Sequence, residues 1–329
     1  MAFFSFSTSP LTRLITGSRA KTASSKRGLA STIASIERSP GIIALDGPFT
    51  HDHVSVRGIR LHLAEAGSPT DPLILLIHGA FGGWYDYRDV IDPLAQAGYH
   101  VAAIDLRGYG MSDKPPTGYD LRHAAGEINS VIAALGHDDA LLVGSDTGAS
   151  IAWATASMYP QRTRGLVSLG AIHPADMRRA IRRKPYLHLT DISRLTSFLH
   201  PLFQIKVTRA ARREIVSNTS PSYQRSNAFI ETVLLRKKAL SIDRTTTPII
   251  RTNRYLVGSV PNKTVSAPVW LLKTNTRRWE HLANIARSRA TGAFTAIAIP
   301  GGFELPYLEH PGEFAKTIAE FARSAFKPQ

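Results

Sequence analysis

The stretch VGSDTGAS at residues 143–150 constrains the fold more than any other feature of the chain. It closes an apolar run typical of a buried strand and opens a run with helical periodicity. A sharp strand-to-helix turn that presents a nucleophile needs small residues two positions before and two after it, because its backbone is strained and another segment crosses close by. Gly144 and Gly148 meet this need for Asp146. Ser145 would instead have two bulky flanking residues, so the pattern predicts a turn with Asp146 at its tip.

Strand-like and helix-like patterns alternate on both sides of this turn. LILLIHG, YHVAAID and DALLVG are apolar runs suited to central parallel strands, and VRGIRLHLAEAG alternates like an exposed pair of strands. The alternation runs from residue 54 to 173 in a core segment 46–173, stops over 174–265 and resumes in a second core segment 266–329. We therefore predict one α/β core, with a mostly parallel central sheet and helices on both faces, interrupted by a helical insertion at 174–265.

Composition excludes several classes of site. The chain has no cysteine, so disulfides, thiolate catalysis and cysteine-ligated metals are ruled out. Its apolar runs are shorter than the ~20 residues that a membrane-spanning helix needs. We expect no cofactor and no metal.

The net charge of +15 is concentrated in two segments. Residues 174–265 hold eighteen Lys or Arg and five acidic residues, and residues 1–45 hold six and one. The 1–45 tail is rich in Ser and Thr, and three interpretations stay open: a disordered tail, an organellar transit peptide, or a membrane-surface segment using Phe3, Phe4 and Phe6. Location is accordingly expected to be cytoplasmic or peripheral to a membrane, with an organelle as the alternative.

Four segments in order resemble the α/β-hydrolase fold family, and its epoxide-hydrolase branch in particular. They are LLIHGAFGGW, IDLRGYGMSDKP, VGSDTGA and PYLEHPGEFAKTIAEFA. The resemblance implies that the carboxylate of Asp146 attacks a carbon atom and forms an ester with the substrate. It also implies an oxyanion hole from the backbone N–H groups of Ala80 and Thr147. Further residues of the first segment are expected to contact substrate, and these are His78, Phe81 and Trp84.

The resemblance also shows where the chain departs from the family. The family's catalytic histidine falls on Glu304, and its orienting acid falls on Thr276 or Arg277. Asp176, after the preceding strand, is the other acid to consider. The family's haloalkane dehalogenases hold halide with a Trp after the nucleophile, where this chain has Thr147.

These replacements predict a different electrostatic arrangement. Asp146 and Glu304 should lie close together, so one carboxyl pKa should rise unless Arg277 pairs with Glu304. Glu304 is then either half of a structural ion pair or a general acid or base. Epoxide hydrolases also use cap tyrosines to protonate the opening ring. The candidates here are Tyr186, Tyr223 and Tyr255, with Tyr255 in the most similar segment.

The basic insertion favours an anionic partner. Its surplus charge, with that of the N-terminal tail, would attract an anionic membrane surface, or a large acidic or lipidic ligand entering beneath the cap. A small apolar or lipidic ligand is also expected to be possible, and no nucleic-acid motif is present. The sequence does not identify a protein partner. Two functions stay open. In one, hydrolysis is impaired and the chain serves in ligand binding or as a membrane-surface or complex scaffold. In the other, an active epoxide or ester hydrolase uses Asp146 with Glu304 or another residue in place of histidine.

Overall fold

A computed structural model describes residues 39–197 and 203–327. Within them lie strands β1 (Thr50–Val56), β2 (Ile59–Ala66), β3 (Leu73–Ile77), β4 (His100–Ile104), β5 (Ala140–Ser145), β6 (Thr163–Leu169), β7 (Val269–Lys273) and β8 (Phe294–Ala298). The strands form one sheet in the spatial order β1-β2-β4-β3-β5-β6-β7-β8. Strands β3 to β8 run parallel to one another, and in the described sheet the β1–β2 and β2–β4 pairs are antiparallel. The predicted α/β-hydrolase architecture is confirmed.

Helices cover both faces of the sheet. Those within the described residues are α1 (Arg88–Gln96), α2 (Leu121–Ala134), α3 (Thr147–Met158), α4 (Pro174–Arg183), α5 (Leu189–Ser197), α6 (Phe203–Ser217), α7 (Asn227–Ser241), α8 (Thr246–Thr252), α9 (Arg277–Arg287), α10 (Pro306–Glu309) and α11 (Pro311–Ala325). None of the helices in this part of the chain is both long and apolar enough to cross a bilayer.

The predicted strand pair at the edge of the sheet is a β-hairpin with a two-residue turn. Arg57 and Gly58 form that turn, both with positive φ (49° and 79°), and such turns match the twist of antiparallel strands. The central strands β3, β4 and β5 are completely or almost completely buried, as their unbroken apolar sequences predict.

The strand register brings the site loops to one edge of the sheet. Ile77 at the end of β3 pairs with Ile104 of β4 and with Gly144 of β5. Gly144 in turn pairs with Ser168 of β6. Because the carboxyl ends of these parallel strands are aligned, the loops that follow them converge at the edge where open α/β sheets bind ligands.

Helices α4 to α8, inserted between β6 and β7, form a cap over that edge. Arg236 of α7 is completely enclosed and joins the cap to the core. Its guanidinium donates to Asp86, in the 3₁₀ turn Trp84–Tyr87, at 2.9 Å and also bonds to Glu214 of α6. The N-terminal tail up to residue 38 lies outside the described residues, so its three interpretations stay predictions.

Candidate functional site

Asp146 stands at the tip of a strained strand-to-helix turn between β5 and α3. Its backbone has φ 52° and ψ −119°, a conformation that residues with a side chain rarely adopt. A Cβ at Gly148 would collide with the carbonyl oxygens of Ile77 and His78, which explains the small residue there. The neighbouring Ser145 hydroxyl is bonded to the Tyr307 hydroxyl at 2.9 Å.

The carboxylate of Asp146 is held from the core and from the cap. Ala80 N–H donates to its Oδ2 at 3.2 Å, and Thr147 N–H is a second backbone donor. From α5, the Arg194 guanidinium donates from Nη1 to Oδ1 at 2.8 Å and from Nη2 to Oδ2 at 2.7 Å. The N–H groups of Ala80 and Thr147, the predicted oxyanion donors, thus contact the carboxylate itself, and their role as an oxyanion hole stays a prediction.

Arg194 is also positioned by the side chain of Asn253 and by the aromatic ring of Phe81. Its Nε donates to Asn253 Oδ1 at 2.8 Å, and the guanidinium lies 5.7 Å from the Phe81 ring centroid. Burial alone would raise the pKa of Asp146, but Arg194 and the backbone donors outweigh it, so this carboxyl has a pKa below its ordinary value. Sequence reasoning missed Arg194, because nothing in DISRLTS distinguishes it from the other seventeen basic residues of the insertion.

Glu304 lies on the same cavity wall, after β8 and the 3₁₀ turn Pro300–Gly302. Trp279 Nε1 donates to its Oε1 at 2.6 Å, and Arg278 Nη1 lies 3.9 Å from the same oxygen. Burial raises the pKa of Glu304. Arg278 and Trp279 oppose that shift and the charge of Asp146 adds to it, so the net pKa lies above the ordinary value.

The predicted pairing of Arg277 with Glu304 is wrong by one residue. Thr276 caps the start of α9 by accepting from Trp279 N–H at 3.3 Å, which sets the rotation of the helix. Successive helical residues point about 100° apart. Arg277 is therefore exposed, whereas Arg278 reaches Glu304 and also bonds to Asp191 of α5 at 2.8 Å.

Two residues expected to contact substrate are instead enclosed in the core. His78 bonds the Gly79 carbonyl through Nδ1 at 2.7 Å and accepts from Leu106 N–H through Nε2 at 3.1 Å. Trp84 has no exposed surface and packs edge-on against His51 at 4.8 Å. Both predictions are wrong, because the loop turns these side chains inward. Phe81 of the same loop does line the cavity.

No histidine lines the cavity among the residues that the structure describes. His173 is buried at the start of α4, where its ring accepts a hydrogen bond from Ala175 N–H. Burial, and to a lesser extent the nearby arginines, lowers the pKa of His173 to about 3. His188 bonds to Asp191 at 2.9 Å. His200, a cap histidine, lies outside the described residues. Asp176 forms a buried ion pair with Arg289, so it orients no histidine.

The candidate cap tyrosines do not reach the cavity either. Tyr255 is 4% exposed and packs in the core, and Tyr223 bonds to Thr232 at 3.0 Å. Tyr186 is 66% exposed. The prediction of Tyr255 as a cap acid is therefore wrong, because the short helical turn after α8 directs its ring into the core cluster.

A cavity of about 710 Å³ lies between the core and the cap. It is lined by Phe81, Ser145, Asp146, Gly170, Met177, Leu189, Thr190, Asp191, Ser193, Arg194, Ala210, Arg213, Glu214, Ser217, Asn218, Leu256, Arg278, Glu304 and Leu305. Within residues 39–197 and 203–327, no three metal-ligating side chains converge.

Comparisons with known proteins agree with the fold described above. A family model of the α/β hydrolase fold matches residues 72–293. The chain is 41% identical over 124 residues to Epoxide hydrolase B of Mycobacterium tuberculosis (strain ATCC 25618 / H37Rv), covering 36% of this chain and 35% of that protein. It is 32% identical over 171 residues to Epoxide hydrolase 4 of Mus musculus, covering 49% and 47%. The matches thus span less than half the length of these relatives.

Solved structures share the fold at low sequence identity. Epoxide hydrolase A from Mycobacterium thermoresistibile superposes with a TM-score of 0.66 at 21% identity, covering 84% of this chain and 98% of that one. A putative acyltransferase from Salmonella enterica gives a TM-score of 0.73 at 22% identity, covering 85% and 96%. Structures of proteins named for different activities therefore share this fold.

Proposed function

The chain belongs to the α/β-hydrolase fold family, on its epoxide-hydrolase-like branch, and we propose that it binds a small ligand beneath its cap without turning over epoxides. The observation that carries this proposal is the forked ion pair between Arg194 and Asp146. A carboxylate attacks carbon through an oxygen lone pair. Here both oxygens already accept hydrogen bonds from the Arg194 guanidinium, which lowers their reactivity. The guanidinium also occupies the space from which a substrate carbon would approach the carboxylate.

The group at the family's histidine position supports the same proposal. Hydrolysis of an aspartyl ester needs a base that takes a proton from water near neutral pH. Glu304 would be a poor base when protonated. When ionised it would place a second negative charge beside Asp146, and the contact with Arg278 at 3.9 Å is too long to neutralise it fully.

Intact mass spectrometry combined with steady-state kinetics tests this proposal. The full chain is incubated with styrene oxide and with 4-nitrophenyl butyrate, and D146N serves as the matched variant. We expect no sustained product release above the D146N rate. Several turnovers per chain that disappear in D146N would sink the proposal. A stable adduct on Asp146 without turnover would locate the block at water activation.

An active hydrolase is the second candidate, and one observation favours it. The Ala80 N–H lies 3.2 Å from the nucleophile position, so an oxyanion hole forms if Arg194 withdraws. Glu304 would then act as general acid or base. This candidate predicts product release that is lost in both D146N and E304Q.

Docking of the cap on an anionic membrane is a further proposal. Tyr186 and Leu189 are 66% and 65% exposed and follow the basic run 182–184, a combination of apolar and basic groups suited to a bilayer interface. We expect flotation with vesicles containing phosphatidylserine, and less of it for a Y186S/L189S variant. Flotation independent of phosphatidylserine, or of this substitution, would count against the proposal.

A further inference from the structure

Among the described residues, four acids line the cavity; three of them have a close guanidinium partner, and the fourth, Glu304, only shares Arg278 at 3.9 Å. Asp146 is paired with Arg194, and Asp191 with Arg278. Glu214 is paired with Arg236, which lies behind the wall. Each of these three acids therefore has its own guanidinium.

Arg213 of α6 is the surplus cation. Its side chain is exposed at the cavity, and the structure places no carboxylate within ion-pair distance of it among residues 39–197 and 203–327. Ser217 lies one helical turn further along α6, on the same face, and Asn218 follows directly. Together Arg213, Ser217 and Asn218 present a cation and two uncharged hydrogen-bonding groups.

Other parts of the wall are apolar. Phe81, Met177, Leu256 and Leu305 line the cavity from four different segments of the chain, and Ala210 leaves room beside Arg213. A ligand that fills this space must carry an apolar body as well as a polar group. A volume of about 710 Å³ falls in the range that accommodates one small molecule.

We propose that the cavity binds an amphipathic monocarboxylic acid, with its carboxylate on Arg213, Ser217 and Asn218 and its apolar body against Phe81, Met177, Leu256 and Leu305. The inference rests on the proposed function and names its ligand class. A guanidinium matches a carboxylate through two parallel hydrogen bonds. One unpaired cation balances one negative charge, whereas the second charge of a phosphate dianion would find no further free cation among the described lining residues.

Isothermal titration calorimetry on the full chain tests the charge requirement. Four probes share one apolar body and differ in the head group: octanoate, octyl phosphate, 1-octanol and octylammonium, each kept below its micelle concentration. We expect octanoate to bind at least tenfold more tightly than 1-octanol, octyl phosphate more weakly than octanoate, and octylammonium least of all. Equal affinity for octanoate and 1-octanol, or no octanoate binding, would overturn the inference, as would tightest binding of octyl phosphate.

Three variants locate the site. R213Q should lower the affinity for octanoate about tenfold and leave that for 1-octanol unchanged. R212Q removes an exposed arginine of the same helix outside the cavity, so it is the matched control and should change neither affinity. A210W fills the cavity and should abolish binding of all probes while circular dichroism stays unchanged. Equal effects of R213Q and R212Q would overturn the assignment.

The two proposals fail separately. Epoxide turnover that depends on Asp146 would overturn the proposed function and leave the preference for octanoate standing. Binding of all probes with equal affinity and no turnover would leave ligand binding standing and overturn the acid as its class.

Discussion

A carboxylate that accepts two hydrogen bonds from one guanidinium loses reactivity, because the lone pairs needed for attack are directed at the cation. Asp146 is in this state through Arg194. We predict that R194M exposes the carboxylate and raises the pKa of Asp146, since burial then acts without the opposing charge. Intact mass spectrometry after incubation with styrene oxide should show an adduct in R194M and none in the unmodified chain.

S193A, which alters an adjacent cavity residue, is the control for R194M. R194M removes one partner of the Arg194–Asp146 ion pair, so it should also destabilise the fold by about 1–3 kcal/mol. This loss is smaller than for a fully buried pair, because the Arg194 side chain is 26% exposed. If folded R194M forms no adduct, Arg194 is not what prevents attack.

The raised pKa of Glu304 predicts how the free energy of unfolding changes with pH. Its pKa in the folded chain lies above the ordinary value of 4.5, so folding strengthens proton binding. Its contribution to stability is therefore complete below pH 4.5 and is lost as pH rises through the folded-state pKa. Glutamine does not titrate, so E304Q should gain stability relative to the unmodified chain across that window.

Urea unfolding of both chains at a series of pH values measures this difference. Titrations of other groups cancel, because both chains share them. E320Q, on the exposed face of α11, is the control and should show a flat difference. A difference for E304Q that declines with rising pH would contradict the raised pKa.

Among the elements, the strand–turn–helix around Asp146 depends on close backbone contact. A Cβ at Gly148 would overlap the carbonyl oxygens of Ile77 and His78, which no rotamer change relieves. We predict that G148A destabilises the chain by about 3 kcal/mol. Chemical denaturation checks this, with G312A as the control. Gly312, near the start of α11, has no neighbouring atom within 4 Å of such a Cβ, so its substitution should be neutral or slightly stabilising.

This element was predictable from sequence for the same reason. The demand for Gly144 and Gly148 arises from contacts within the turn and with the adjacent strand, so it is written in the spacing of residues around Asp146. The Arg57–Gly58 hairpin and the buried parallel strands were predictable likewise, since alternation and unbroken apolar runs report burial directly.

At the scale of the whole molecule, the buried contact of Arg236 with Asp86 and Glu214 holds the cap on the core. We predict that R236M costs about 3–5 kcal/mol, because it leaves the enclosed Asp86 carboxylate and the largely buried Glu214 carboxylate without this cation. Urea unfolding should show this loss, and hydrogen exchange should show greater opening of α6 and α7 than of α3. R225M, at the exposed end of the turn before α7, is the control.

A triple variant, D86N/E214Q/R236M, removes the charges together and should recover much of the stability that R236M loses. If R236M and the triple variant lose equal amounts of stability, the contact between cap and core depends on side-chain packing and not on charge.

The sequence by itself determined the sheet, the position of the cap and the turn that carries Asp146. These follow from local periodicity and from steric demands between residues close in the chain. The tertiary structure alone decided which cations reach the site. Whether Arg277 or Arg278 meets Glu304 depends on the rotation of α9, and whether Arg194 meets Asp146 depends on how α5 packs over a turn 48 residues away. Successive residues of a helix point about 100° apart. Composition can therefore indicate that the cap is basic, but it cannot show which arginine faces the site.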